Sequence, residues 1–325
     1  MLSIIQELYE DNIAYIKIGK KLSKPIVTSK GLRQGCSLSP LLFNLYIEVV
    51  LTRWRRSCGE MCIPVGDHKI FTLSFPDDQV ILAQDSFDIE YMMRKLRTEY
   101  DQWGLSVSLK KTEYLVVNSE ANFEVLVDED TTIKQVEKFK YLGAIVDKDG
   151  IGGAEIKHRI QESKKIIGCL NSLWWDRNIS NHTKKRIGKT MVESTVCYGS
   201  EIWTINADLK RRLNAVEMDY LRRSARVSRL QHVTNEAIRD RLHARETVLD
   251  RIEIKGLRWF GLLIRMPEQR WPKRIFEWVP PGRRKRERPR RSWNEGIRQS
   301  MEQRQLNVEM AQDREAWRRG LGRRH

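Results

Sequence analysis

The chain has 325 residues, 40% of them hydrophobic and 31% charged, and 59 Lys and Arg against 43 Asp and Glu give a formal net charge of +16. This composition excludes wholesale disorder, a collagen-like fibre and a membrane bundle, and the length accommodates about two domains with sizeable cores. Five cysteines are too few for a disulfide scaffold, and the opening Met1–Glu7 lacks the charged and apolar regions of a signal peptide, so the expected location is the cytoplasm or nucleus.

A large cationic excess points to a polyanionic partner, because each phosphate neutralised releases condensed counterions. The excess is concentrated: from Arg265 onward there are 18 Lys and Arg against 8 Asp and Glu. Texture divides the chain into three regions. Residues 1–148 mix short β-rich runs with one strong helix, 152–265 form successive amphipathic helices, and 266–325 are Arg-rich and punctuated by proline. The fold class expected is α+β, with a helical middle and a basic, loosely folded tail.

In chain order, a helix is predicted over Ile4–Tyr9 and a strand over Ile13–Ile18. Gly31 and Gly35 flank a loop holding Arg33 and Gln34, and Ser39-Pro40 starts a helix, with Ser as N-cap and Pro at the first helical position. That helix runs to about Arg56, with Leu42, Leu45 and Val49 expected on its buried face. A loop feeding a helix has free backbone N–H groups for an anion or a base, although the same residues suit a purely structural loop. Cys58, Cys62 and His68 lack the second ligand pair that a zinc site needs.

Lys69–Ala83 has the pattern strand, acidic turn, strand, with Asp77 and Asp78 at the tip. Two adjacent carboxylates there can face hard cations such as magnesium, and two such ions can clamp the oxygens of phosphoryl transfer. Taken alone, the pair equally suits a plain turn, since Asp favours turns.

Four helical stripes follow: Ile156/Ile160/Ile167/Leu170/Trp174, Ile187/Met191/Ser194/Tyr198, Leu209/Leu213/Val216/Tyr220 and a weaker Leu249/Ile252/Trp259/Leu263. They predict a small bundle whose outward positions carry Lys164, Lys184, Lys185, Arg211, Arg222 and Arg223 as a solvated or a phosphate-tracking face. In the tail, Pro280–Arg291 holds Arg283, Arg284, Lys285, Arg286, Arg288, Arg290 and Arg291, too rich in proline and like charge for a helix and typical of nucleic-acid or nuclear-localisation patches. Two short helices are expected beyond it, over Trp293–Gln303 and Val308–Arg319.

These motifs, in this order, resemble the reverse transcriptase of non-LTR (LINE-type) retrotransposons. Arg33-Gln34-Gly35-Cys36-Ser37-Leu38-Ser39-Pro40 is similar to that family's template and nucleotide loop, and Phe75-Pro76-Asp77-Asp78 to its aromatic-x-Asp-Asp catalytic hairpin. Gly104-Leu105-Ser106-Val107-Ser108-Leu109-Lys110-Lys111-Thr112 and Phe139-Lys140-Tyr141-Leu142-Gly143 resemble the two motifs that follow. Glu155-Ile156-Lys157-x-Arg159-Ile160 and Tyr198-Gly199-Ser200-Glu201-x-Trp203 look like its thumb.

The resemblance implies a partial polymerase palm over 1–148, a thumb over 152–265 and a basic tail over 266–325. It implies that Asp77 and Asp78 hold Mg2+, with Lys111 as acid for the leaving pyrophosphate. Arg33, Gln34 and Gly35 would meet nucleotide or template, and Tyr141, Leu142 and Gly143 the primer end. The implied partners are an RNA template, a DNA primer or target and deoxynucleoside triphosphates, with no membrane. The family's first catalytic aspartate lies well upstream of the Gln-Gly loop, and only 30 residues precede Gly31 here. Pro76 also replaces a usual small residue. The expectation is a 5′-truncated copy, inactive as a polymerase alone; the alternatives are a non-catalytic nucleic-acid-binding protein and a non-functional relic.

Overall fold

The computed structural model describes residues 2–10, 12–28, 30–75, 77–117, 123–128, 131–150, 152–279 and 292–322. The architecture is α+β: many helices with small, mostly antiparallel sheets. It divides into two compact units, one formed by Met1–Cys62 with Phe71–Val107 and the other by Ile63–Ile70 with Ser108–His325. Among the described residues no helix is long and apolar enough to cross a membrane.

The first unit is built on two helices. After the short α1 (Leu2–Tyr9) come α2 (Ser39–Cys58) and α3 (Ser86–Gln102), whose start is capped by the Asp85 carboxylate accepting the Asp88 N–H at 2.9 Å. The two long helices share a core of Ile47, Val50, Leu51, Trp54, Met92, Leu96 and Tyr100, and the Trp54 indole donates to the Met92 carbonyl at 2.8 Å. The buried stripe of α2 therefore differs from the expected one. Leu45 and Val49 are 62% and 46% exposed, whereas Val50 and Trp54 are fully buried. The helix is apolar nearly all round in its first half, so periodicity had two faces to choose between, and the bulky Trp54 decided. Ser39 is not the N-cap: the helix starts after Leu38, and the buried Ser39 hydroxyl donates instead to the Arg33 carbonyl at 2.7 Å.

Strands Thr72–Phe75 and Asp78–Ile81 form an antiparallel hairpin in the same unit, with Phe75 opposite Asp78 and Ser74 opposite Gln79. Its root packs through Phe71 and Ile81 on the α2–α3 core. The Tyr100 hydroxyl of α3 donates to Gln79 Oε1 at 2.6 Å, tying the strand that carries Asp78 to the helix.

In the second unit, strands Val125–Asp128 and Thr131–Gln135 pair antiparallel, with Glu113–Tyr114 parallel alongside. The hairpin Lys138–Tyr141 and Ala144–Asp147 leads into α4 (Gly153–Cys169). Beyond lies the predicted bundle. Ile156, Ile160, Ile167 and Trp174 meet Leu209, Leu213, Val216 and Tyr220 of helix Ala207–Ser224, so the first and third stripes are core as expected.

The second stripe is shifted. Met191, Ser194 and Tyr198 are exposed, and Val192, Val196 and Cys197 are buried in their place. The cause is a π-helical turn over Gly188–Glu193, whose extra residue per turn rotates the inward face. Gly188 lies under the Tyr220 ring, where a Cβ would come within 2.6 Å of Cε2, and Glu193 turns inward to the Tyr220 hydroxyl and the Arg251 guanidinium. Several cations read as outward are engaged in the fold. Lys184 is 1% exposed and donates to the Asp176 carbonyl at 2.6 Å, its pKa lowered chiefly by burial. Lys185 donates to the His243 carbonyl, and Arg222 to Val233 and Asn235.

Helix Val248–Arg265 begins in this bundle and ends in a second core. Its first turn has a Thr247/Asp250 capping box, and the buried Glu217 carboxylate accepts the Val248 N–H at 3.0 Å and an Arg239 bond at 2.6 Å. Its last turns carry Leu257 and Phe260, which pack on Ile297 and Met301 of helix Trp293–Gln303 and on Trp317 and Leu321 of helix Arg314–Leu321. The first expected terminal helix is present over Trp293–Gln303, whereas the second starts six residues later than expected, at Arg314, with turns over 308–312; the expectation of a loose end fails for residues 292–322. Arg304 is 4% exposed, pairs with Glu253 at 2.8 Å and donates to the Leu321 carbonyl at 3.0 Å. Composition hid this order, because two tryptophans, Trp293 and Trp317, and a few aliphatic residues suffice to bury a small module against an existing helix.

Two consequences are measurable. A Cβ on Gly261 would stand 2.4 Å from Trp317 Nε1, the group that donates to the Leu257 carbonyl at 3.0 Å. Gly261→Ala should cost about 1–3 kcal/mol by overpacking, seen as a lower urea midpoint by tryptophan fluorescence, whereas Gly296→Ala, with nothing within 4 Å of its Cβ, should not destabilise. Burial raises the Tyr100 phenol to about 12. Above about pH 10 the unfolded phenol ionises while the folded one stays neutral, so this residue's contribution to stability is intact at neutral pH and is lost progressively between about pH 10 and 12. Tyr100→Phe should remove that part of the alkaline sensitivity and, by leaving the Gln79 carbonyl unpaired, cost about 1–2 kcal/mol at pH 7.

Candidate active site and nucleic-acid interface

The acidic hairpin presents Asp77 and Asp78 side by side and exposed, Asp77 in the turn and Asp78 opening the returning strand. Pro76 lies outside the described residues. Both carboxylates sit at the tip of a ribbon whose base is anchored by Phe71, Ile81 and the Tyr100–Gln79 bond. Gln79 was missed in the sequence; only its place between Asp78 and an apolar strand could have marked it. Magnesium is commonly held by one or two carboxylates together with substrate phosphates and water, so the exposed pair fits the protein's share of such a site; among the described residues no group of three His, Cys, Asp or Glu is arranged to hold a metal without substrate.

The Arg33–Gly35 loop belongs to the same unit. Gly31 and Gly35 have φ of +101° and +81°, conformations that need glycine, and they turn Gln34 and Gly35 out to solvent ahead of α2. Arg33 is held from behind: its Nε donates to Asn12 Oδ1 at 2.7 Å and its guanidinium lies 6.0 Å from the Tyr9 ring centroid. The Leu38 N–H facing Cys36 holds that thiol below its ordinary range. Gln34 and Gly35 are thus free to meet a ligand, while Arg33 serves the loop's own structure.

Lys111 and Tyr141–Gly143 belong to the second unit. Lys111 is exposed in a turn that closes with its N–H on the Ser108 carbonyl at 2.9 Å. Tyr141 and Ala144 face each other across the two-residue turn Leu142-Gly143, with φ of +49° and +81°, as a type I′ hairpin turn requires. Glycine accepts this freely; leucine in the left-handed region costs about 1–2 kcal/mol.

The turn is held by residues distant in the chain. Tyr198 Oη donates to the Leu142 carbonyl at 2.8 Å, and Arg159 Nη2 donates to the Gly143 carbonyl. Glu155, 4% exposed in the first turn of α4, accepts the Ile145 N–H at 2.7 Å and pairs with Arg159. The Arg159 guanidinium lies 4.4 Å from the Tyr198 ring centroid, a cation–π stack, and a Cβ on Gly143 would touch the same ring at 3.6 Å. Nearby, Lys165 hydrogen-bonds Glu162 and, with His158 and Lys140, holds its carboxyl below the ordinary range.

The basic tail residues Arg283, Arg284, Lys285, Arg286, Arg288, Arg290 and Arg291 lie outside the described residues. The elements on either side of them are tied together: Phe276 and Trp293 meet edge to face at 6.2 Å, and the Trp293 indole donates to the Glu201 carbonyl at 2.9 Å.

The sequence pattern of the family "Reverse transcriptase (RNA-dependent DNA polymerase)" matches residues 2–146, the span that holds the Gln-Gly loop, the acidic hairpin and the Tyr-Leu-Gly turn. The chain is 27% identical over 161 residues to the retrovirus-related Pol polyprotein from type-1 retrotransposable element R2 of Nasonia vitripennis, covering 46% of this chain and 15% of that one. It is 23% identical over 272 residues to a transposon-derived protein of Caenorhabditis elegans, covering 78% of this chain and 95% of that one. A Xenopus laevis protein of transposon TX1 is 30% identical over 86 residues, 26% of this chain and 7% of that protein. The chain thus spans a small part of the long R2 and TX1 proteins and nearly all of the nematode one. Residues 2–146, which hold the loop, the acidic hairpin and the Tyr-Leu-Gly turn, match the reverse transcriptase family, and the chain is similar to the Pol polyproteins of R2 retrotransposable elements.

Proposed function

We propose that this chain is a primer–template-binding portion of a non-LTR retrotransposon's RNA-directed DNA polymerase, and that it does not add nucleotides on its own. The observation that carries the reading is the Tyr141–Gly143 turn, a hairpin tip whose carbonyls are held by Tyr198 and Arg159 and which is assigned by family resemblance to the primer end. Reverse transcriptases as a family act with a divalent metal on template, primer and nucleotide; Mg2+, an RNA template and a DNA primer are the specific forms proposed here. Gln34 and Gly35 contact template or nucleotide, and Lys111 stands as the acid for pyrophosphate. Asp77 and Asp78 are the catalytic carboxylates, left without a third ligand among the described residues. That shortage favours the second reading, a retroelement-derived nucleic-acid binder without catalysis. The basic tail supplies phosphate contacts and favours a nuclear location.

Two experiments test this. Primer extension on an RNA template with magnesium should give no incorporation by the purified chain, while salt-sensitive binding of the primer–template persists. Incorporation abolished by Asp77→Ala would instead make the chain an active polymerase and overturn the proposed inactivity. Salt dependence tests the tail. Truncation after Pro280 is unsuitable, since it removes Ile297 and Trp317 from their core. Replacing Arg283, Arg284, Lys285 and Arg286 together by Ser should flatten the slope of log affinity against log salt by up to about 3–4; an unchanged slope would move the binding surface to the helical bundle.

A further inference from the structure

We propose that Glu155, Arg159 and Tyr198 are positioning residues for the primer end, acting through the Leu142-Gly143 turn; the inference rests on the reading of that turn given above. None of the three was assigned a role by its motif. The argument begins with backbone chemistry. A two-residue turn leaves the carbonyls of its central residues pointing away from the strand ladder, free to water or to a partner. Here both are taken, Leu142 by the Tyr198 hydroxyl and Gly143 by Arg159, and the first amide past the turn pair, Ile145, donates to Glu155. Three side chains from α4 and from a segment 56 residues beyond the turn thus hold Leu142, Gly143 and Ile145 at one end of the ribbon.

The clamp is coupled within itself. Glu155 orients Arg159, and the guanidinium stacks on the Tyr198 ring, so each member fixes the next. Glu155 and Arg159 side chains are 5% and 12% exposed, which strengthens the pair, while Tyr198 stays 47% exposed and leaves ring surface beside the turn. The Leu142 side chain, held at positive φ, projects at the tip and is 40% exposed. An exposed leucine at positive φ, with its own carbonyl and that of Gly143 each already holding a side-chain donor, is fixed in place. What it offers is shape: an apolar tip, at a fixed distance from α4, against which a terminal sugar and base can rest. Losing one tether should therefore blur recognition of a strand end without weakening general attraction to phosphates, which follows the chain's net positive charge and not the shape of this turn.

The test measures binding by fluorescence anisotropy of the full chain to two probes of equal length: a DNA primer recessed on an RNA template, and a blunt RNA–DNA duplex. The wild type should prefer the recessed 3′ end. Tyr198→Phe, which keeps the ring and removes only the donor, and Arg159→Lys, which keeps the charge and loses the fork, should each reduce that preference by about 3- to 10-fold. Affinity for the blunt duplex should stay within about twofold, and hydrogen exchange at Ile145 should quicken in Glu155→Gln. A wild type with no preference would overturn both this proposal and the reading of the turn. A wild-type preference that survives in both variants would overturn this proposal alone. Equal losses for the two probes would reduce the three residues to supports of the fold and overturn it as well.

Discussion

Helix Val248–Arg265 is the member on which the second unit depends. Its first half lies in the bundle with Val248 and Ile252, and its second half lies in the terminal module with Leu257 and Phe260. One rigid rod shared by two cores makes their positions interdependent, and its start is fixed by a buried carboxylate. Glu217 combines a helix-dipole interaction with an Arg239 ion pair in a low-dielectric site, where an unpaired charge would be costly. The small glycines Gly256 and Gly261 let Ile297 and Trp317 approach the rod closely, so the terminal helices dock by shape rather than by charge.

This arrangement changes how the chain's cations should be viewed. A net charge of +16 suggests a uniformly basic surface, yet many cations are structural: Lys184 is buried, Arg304 nearly so, and Arg222, Arg239 and Arg251 bind carbonyls or carboxylates within the bundle. Arginine suits such positions because its fork satisfies two acceptors at once and it loses less than lysine on desolvation. Composition therefore overstates the positive charge that is available to a polyanion.

The two hairpins named by the family resemblance are built differently. The acidic one is anchored at its root, by Phe71, Ile81 and the Tyr100–Gln79 bond, while its carboxylates stand in water at the tip. The Tyr-Leu-Gly one is anchored at the tip itself. A carboxylate pair that must receive ions gains from exposure, and its geometry is completed by the ligand. A tip that must present a fixed shape gains from being tied down before anything binds, because the ordering cost is then met in folding. Strain at Leu142 is tolerated for the same reason, as its surroundings over-determine it.

What the sequence determined by itself was local. The acidic turn, the stripes of α4 and of Ala207–Ser224 and the helix Trp293–Gln303 follow from turn preferences and periodicities that operate within a few residues. The order of motifs was equally legible and identified the family. The tertiary structure decided the rest: that α2 buries Val50 and Trp54 rather than Leu45 and Val49, that a π turn rotates Met191 outward, that the chain's end is packed, and that Glu155, Arg159 and Tyr198 converge on one turn. Each of these depends on the shape and charge of a partner many residues away, and a run of apolar or basic residues has the same local pattern whichever partner it meets.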